Sequence, residues 1–243
     1  MNDYNTIAIE KVRRTGIKSH TIVFVHGTSF GAWAWEEYFA PYFNQKGYDT
    51  YSFTFSKKIN HGKDISTIED YIFDFTSVLQ ECSGKISVIG HSVGCSIIMH
   101  CLDQYNYKIH KLIFLAPIPY YGMKKEYICF MKNFCIHRSL SKLYFTNRLT
   151  KNKEKEYVDK FRLTPSRITY ELLRPIEEKN LCRKNNTLVI ASAKDLGVTN
   201  KACIAVGEKF NAKIIFFPEM CHAIMLDPDW QLAAEEIERF IHE

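Results

Sequence analysis

Short apolar runs alternate with amphipathic stretches along most of this chain, and that alternation restricts the fold more than any other feature. Thr21–Val25, Lys85–Ile89, Lys111–Ala116, Thr187–Ala191 and Lys213–Phe217 read as buried strands, and Thr6–Val12 and Tyr48–Phe55 as two more. Helical stretches separate them. Ala32–Lys46 is closed by Gly47, and in Ser66–Glu81 the residues Ile68, Ile72, Phe75 and Leu79 recur at three- and four-residue spacing. Val93–Gln104 and Trp230–His242 are further helices, the last amphipathic through Leu232, Ala233, Ile237 and Phe240. Repeated βα units of this kind predict an α/β protein with a mostly parallel sheet flanked by helices.

One long interruption breaks the rhythm after Pro117-Ile118-Pro119. From Tyr120 to Lys184 no segment has a convincing strand pattern, and the stretch is basic and rich in aromatic residues, among them Tyr120, Tyr121, Tyr127, Phe130, Tyr144 and Phe161. A bare loop of that length is rare inside a compact domain. The expectation is a helical cap, residues 120–184, inserted after the sixth strand and covering the C-terminal edge of the sheet, where open α/β sheets bind ligands. Residues 1–119 and 185–243 form the core.

Composition excludes several classes. A 243-residue chain with 46% hydrophobic and 24% charged residues is neither disordered nor fibrous. No apolar run approaches the roughly 18–20 residues that cross a bilayer, and the N-terminal MNDYNTIAIEKVRRTG lacks a signal-peptide core, so no membrane span and a cytoplasmic location are expected. The eight cysteines are scattered without a CxxC pair, which favours reduced thiols over disulfides or zinc. The formal charge is +5, and Tyr121–Lys160 alone holds an excess of basic residues. That excess fits a solvated helical surface, or an attraction for an anionic substrate or an acidic carrier protein. It does not suggest nucleic acid.

The strongest local signal is Gly90-His91-Ser92-Val93-Gly94, set where the Lys85–Ile89 strand meets the next helix. A serine hydroxyl attacks poorly unless it is presented clear of the backbone and a base takes its proton. A sharp strand–turn–helix presents it, with glycines where side chains would collide, and the helix N-terminus offers backbone N–H groups to a developing oxyanion. Upstream, Thr21–Val25 runs into His26-Gly27-Thr28-Ser29-Phe30-Gly31. The backbone N–H of Thr28 is the candidate second oxyanion donor beside that of Val93, while His26 reads as a brace for the loop.

Asp195 follows the strand Thr187–Ala191 at the edge of the sheet that carries function. Taken alone it fits a turn-opening surface aspartate equally well. His222 follows Lys213–Phe217 and Pro218, and completes the chain order Ser…Asp…His with each member on a loop after a separate strand. Asp103 lies on the helix after the elbow, and Asp227 and Asp229 follow His222 too closely to orient it.

These residues resemble the α/β-hydrolase superfamily. VHGTSFGAWAW looks like the oxyanion loop of the plant methylesterase and hydroxynitrile-lyase branch and its bacterial relatives, and FPEMCHAIMLDPDW is similar to the segment around the catalytic histidine in bacterial members, with Cys221 where glycine is common. The resemblance implies an α/β-hydrolase fold with Ser92 as nucleophile, His222 as base, Asp195 as acid and Thr28 and Val93 as oxyanion donors. It does not favour lyase chemistry, because those enzymes carry threonine at the place of Gly27 and lysine at that of Ala223.

The expected activity is cleavage of a carboxylic ester in a small, largely apolar substrate, with no metal or other cofactor. Ser29, Phe30, Pro119, Tyr120, Tyr121 and Phe130 are the candidate pocket residues. Two alternatives stay open: a thioesterase or acyltransferase meeting an acyl carrier protein, and a non-hydrolytic lyase or ligand-binding protein with the same fold.

Overall fold

The computed structural model describes residues 5–181 and 186–243. Cys182 and the expected boundary between the insertion and the returning core therefore lie outside the described residues, as do the first four residues of the chain. Seven strands form the main sheet: β2 (Glu10–Arg14), β3 (His20–Val25), β4 (Asp49–Thr54), β7 (Lys85–His91), β8 (Ile109–Leu115), β9 (Thr187–Ser192) and β10 (Lys213–Phe217). Their order is β10-β9-β8-β7-β3-β4-β2, parallel throughout except for the antiparallel edge pair β2–β4.

The apolar runs are continuous because the central strands are covered on both faces. Period-two alternation sorts their side chains. Val23 and Val25 of β3, Leu112 and Phe114 of β8, and Val189 and Ala191 of β9 point into one core; Ile22 and Phe24, Ile113 and Leu115, and Leu188 and Ile190 point into the other. Helices α3 (Ile68–Glu81), α4 (Val93–His100) and α10 (Asn200–Lys209) cover the first face through Phe75, Ile97, Ile98 and Val206. Helices α1 (Trp33–Glu36), α2 (Phe39–Gln45) and α11 (Trp230–His242) cover the second through Trp35, Phe39, Phe43, Ile237 and Ile241. Each large apolar side chain buried this way stabilises the fold by about 1.5–3 kcal/mol.

Three expected elements come out divided. Ala32–Lys46 is two helices, parted at Tyr38 (φ −140°), because Pro41 lacks an N–H and its ring opposes the carbonyl of Glu37 one turn earlier. Val93–Gln104 breaks at Cys101 into α4 and α5 (Leu102–Tyr105). The run Thr6–Val12 belongs to two strands in two sheets: β1 (Asn5–Ile7) joins β5 (Lys57–Asn60) and β6 (Lys63–Asp64) in a small antiparallel sheet, and β2 joins the main one. α3 starts where its sequence says it should, with Thr67 and Asp70 exchanging hydrogen bonds in a capping box.

The interruption is helical: α6 (Lys124–His137), α7 (Ser141–Tyr144), α8 (Lys151–Asp159) and α9 (Ser166–Glu171). It follows β8, which is the fifth strand of the main sheet in chain order rather than the expected sixth. Several of its basic side chains lie in surface ion pairs, Lys142 with Glu154, Arg148 with Asp229, and Lys153 and Lys160 with Glu156. Such exposed pairs contribute little to stability, about 0–1 kcal/mol each. Among the described residues no helix is long and apolar enough to cross a membrane.

Candidate active site

The chain passes from β3 outward to β4 and then back to the other side of β3 to form β7, so the carboxyl ends of β3 and β7 flank the point where strand order reverses. A crevice opens at such a point. Val25 pairs with Gly90 there, which sets the loop of residues 26–31 beside the turn at Ser92.

Ser92 is the residue between β7 and α4, and its backbone is strained, with φ 51° and ψ −115°. A non-glycine residue in such a conformation costs on the order of 1–3 kcal/mol and persists only where the surroundings impose it. Here its N–H donates to the carbonyl of Leu115 (2.9 Å), fixing the elbow to β8. Gly94 is obligatory for a different reason: a Cβ there would lie 2.3 Å from the carbonyl oxygen of Val25, so any side chain would push α4 off β3. Val93 opens α4, so its N–H has no partner within the helix.

Asp195 and His222 meet as a buried pair. The carboxylate Oδ2 accepts from Nδ1–H of His222 at 2.7 Å, and both side chains are 2% exposed. Oδ1 accepts from the N–H groups of Gly197 (2.7 Å) and Val198 (2.8 Å), so both oxygens are held. The loop bearing His222 is pinned at its base. Ser192 Oγ donates to the carbonyl of Met220, and Asp227, fully buried, accepts from the N–H of Cys221 (2.8 Å) and of Asp229 (2.9 Å). Cys221 is accommodated in this turn, buried, with its thiol on the carbonyl of Ala223.

His91 lies beneath the pair. Its Nε2–H donates to the carbonyl of His222 (3.0 Å), with ring centroids 4.7 Å apart. Burial drives its pKa well below the ordinary range, so it stays neutral and adds no like charge to the site. His26 braces the loop: Nδ1–H donates to the carbonyl of Gly27 (2.8 Å) and Nε2 accepts from the N–H of Phe55 (3.2 Å). Burial lowers its pKa to about 4 from 6.5.

This pKa has a consequence for stability. Between about pH 6.5 and 4 the unfolded chain binds a proton at residue 26 that the folded protein does not, so stability rises with pH across that window. Above it His26 has no effect; by pH 4 it costs on the order of 3 kcal/mol. Urea unfolding at pH 7.5, 6 and 5 is expected to show falling midpoints, with a shallower fall in His26→Asn. An equally steep fall in that variant would contradict the assignment.

Ser92, Val93, Thr28 and His222 all line one cavity of about 170 Å³, together with Ser29, Ile118, Met123, Glu126, Tyr127, Phe130, Tyr144, Leu172 and Val198. The floor comes from the sheet edge and the roof from α6, α7 and α9. No hydrogen bond joins the Ser92 hydroxyl to His222 among the described residues.

Of the expected pocket residues, Ser29 and Phe130 line this cavity and four do not. Phe30 is 1% exposed and turns into the second core against Trp33, His91, Tyr144 and Phe161, reaching only a narrow neighbouring cleft. Pro119, Tyr120 and Tyr121 form the turn that leads to α6. The carbonyls of Pro119 and Tyr120 accept from the N–H groups of Gly122 and Ile176, and the two tyrosine rings pack on each other, away from the cavity.

Tyr144 was not among the expected site residues, yet it joins three parts of the site. Its hydroxyl bonds the hydroxyls of Thr28 and Ser29 (3.2 Å each), its carbonyl accepts from the N–H of Ala223, and its ring lies 5.6 Å from that of His222. One more tyrosine in an aromatic-rich stretch gave no signal of this in the sequence.

A family model for the alpha/beta hydrolase family matches residues 22–175, more than half of the chain. The chain belongs to the alpha/beta hydrolase family. The match takes in Thr28, Ser92 and Val93, and ends before Asp195 and His222. The alpha/beta hydrolase architecture also recurs in solved structures. The Exiguobacterium antarcticum esterase EaEST is similar with a TM-score of 0.76 at 14% identity, covering 99% of this chain and 96% of that one. The monoacylglycerol lipase of Paleococcus ferrophilus is similar with a TM-score of 0.72 at 15% identity, covering 97% and 99%. At such identities the likeness is one of fold. By sequence the chain is 27% identical over 105 residues to an Arabidopsis thaliana protein whose name proposes chloroplastic methylesterase 12, covering 41% of this chain and 30% of that protein. The aligned region thus spans under a third of the length of the plant relative.

Proposed function

We propose that this alpha/beta hydrolase cleaves carboxylic esters of small, largely apolar substrates through an acyl-enzyme on Ser92. The observation that carries this is the buried Asp195–His222 pair, 2.7 Å apart, opening on the same cavity as a serine in a strained strand-to-helix elbow. With Nδ1–H committed to Asp195, the ring presents Nε2 as the basic nitrogen. As Ser92 Oγ bonds to the ester carbonyl carbon, Nε2 takes the hydroxyl proton, and the carbonyl π electrons move onto oxygen beside the N–H groups of Thr28 and Val93. Collapse expels the alcohol, which receives the proton from His222. Water then attacks the acyl-enzyme by the same route and frees Ser92, while Asp195 remains ionised.

On this reading residues 120–184 act as a cap over a core of residues 1–119 and 185–243, and exclude bulk water from the reacting carbonyl. A cavity of about 170 Å³ is close to the size that accommodates a benzene ring, so it buries short to medium acyl chains more completely than long ones. Hydrolysis of p-nitrophenyl esters is expected to peak near a six-carbon acyl chain and to fall about tenfold or more by twelve carbons. A folded protein inert across the series would overturn the proposal, and a profile still rising at twelve carbons would overturn the pocket size.

A further inference from the structure

Among the described residues that line the cavity, Glu126 carries the one carboxyl. It stands in the first turn of α6 and is 4% exposed. Its Oε1 accepts from the hydroxyl of Thr199 at 3.2 Å, while Oε2 is buried with no hydrogen-bond partner. Among the described residues no cation pairs with it. Met123, Tyr127, Phe130 and Val198 are its neighbours around the cavity wall.

Glu36 Oε1 and Asp64 Oδ2 are likewise buried carboxylate oxygens without a hydrogen-bond partner, but Arg14 and Lys57 neutralise those side chains, whereas Glu126 has no such cation among the described residues. Asp195 and Asp227, also buried, have both oxygens occupied by N–H donors. Tying α6 to the start of α10 uses one oxygen of Glu126 and leaves the other desolvated without return, a costly state that folded proteins avoid. Several other buried polar atoms also lack partners, but none of those residues lines the cavity.

We propose that Glu126 is the specificity-determining residue of the cavity, and that its free oxygen accepts from a hydrogen-bond donor, a hydroxyl or an ammonium, carried by the ester away from the reacting carbonyl. The inference rests on the esterase reading for the word ester, and on the cavity alone for the donor. Sites built to bind a donor reject the analogue that lacks it more firmly than apolar pockets reject an added group, because the acceptor is then left bare.

The test uses three ligands of matched length: ethyl hexanoate, ethyl 6-hydroxyhexanoate and ethyl 6-aminohexanoate. Binding is measured by calorimetry to full-length Ser92→Ala protein, which separates recognition from turnover, and kcat/KM is measured on the wild type. At least one donor-bearing ester is expected to bind about tenfold or more tighter than ethyl hexanoate. Preference for the hydroxy ester identifies a hydroxyl ligand, and preference for the amino ester an ammonium. In Ser92→Ala/Glu126→Leu the preference reverses. Glu126→Gln, which keeps the shape and the bond to Thr199, retains preference for the hydroxy ester and loses it for the amino ester.

Equal binding of the three esters, no binding of any, or a preference that survives Glu126→Gln and Glu126→Leu alike overturns the inference. Discrimination without turnover by the wild type sinks the esterase reading and leaves Glu126 in place.

Discussion

Ser92→Ala is expected to lower kcat for ester hydrolysis by about 10⁵-fold or more, with a melting temperature within roughly 2 °C of the wild type. The two halves of this result have separate causes. Alanine removes the only hydroxyl at the elbow, so no acyl-enzyme can form, and what survives is the contribution of binding and the oxyanion donors to direct attack by water. Stability barely changes, because the lost hydroxyl makes no hydrogen bond among the described residues and alanine keeps the Cβ that the strained φ of 51° already tolerates. Single-turnover kinetics and calorimetric unfolding of the same preparation check both halves. Activity within tenfold of the wild type would remove Ser92 from the reaction.

Asp195→Asn is expected to lower kcat by about 10⁴-fold while leaving KM within a few-fold. The hydrogen bonds around the carboxylate dictate why. Gly197 and Val198 present N–H groups at 2.7 and 2.8 Å and therefore hold an oxygen at the Oδ1 position. An asparagine must keep its carbonyl oxygen there, which turns its NH₂ toward His222. The imidazole answers by making Nδ1 the acceptor, the proton moves to Nε2, and the nitrogen facing Ser92 can no longer take a proton. A loss from disturbed packing instead would show in the unfolding temperature, and a variant that keeps full activity would mean that Asp195 does not set the tautomer.

Much of this was legible in the chain because the physics behind it is local. Continuous apolar runs announced a sheet covered on both faces. The glycines around Ser92 reported a close approach that the structure contains at Gly94, 2.3 Å from the Val25 carbonyl for any added Cβ. The buried Asp195–His222 contact joins residues that the sequence could only place on neighbouring strand ends.

What escaped depends on distant partners. Lys57–Asn60, which pairs with Asn5–Ile7, and Lys63–Asp64, which pairs with Lys57–Asn60, are polar strands whose pairing no periodicity signals. The interruption could be recognised as helical, but which of its faces looks inward is set by packing. Phe130 was named from the sequence and lines the cavity, but Pro119, Tyr120 and Tyr121 do not, and Glu126 and Tyr144 are turned toward it by the helices that carry them. Glu126 was the least visible, since a lysine-rich helix start makes a glutamate look like a surface residue.

The proposed reaction depends on Ser92 being a nucleophile activated by His222. Incubation with a fluorophosphonate probe, followed by intact-mass and peptide mass spectrometry, tests it most directly. One covalent adduct is expected on the peptide that contains Ser92, formed at a rate that collapses in His222→Gln. An unlabelled Ser92 in folded, ester-hydrolysing protein, or labelling that is as fast without the histidine, would contradict it.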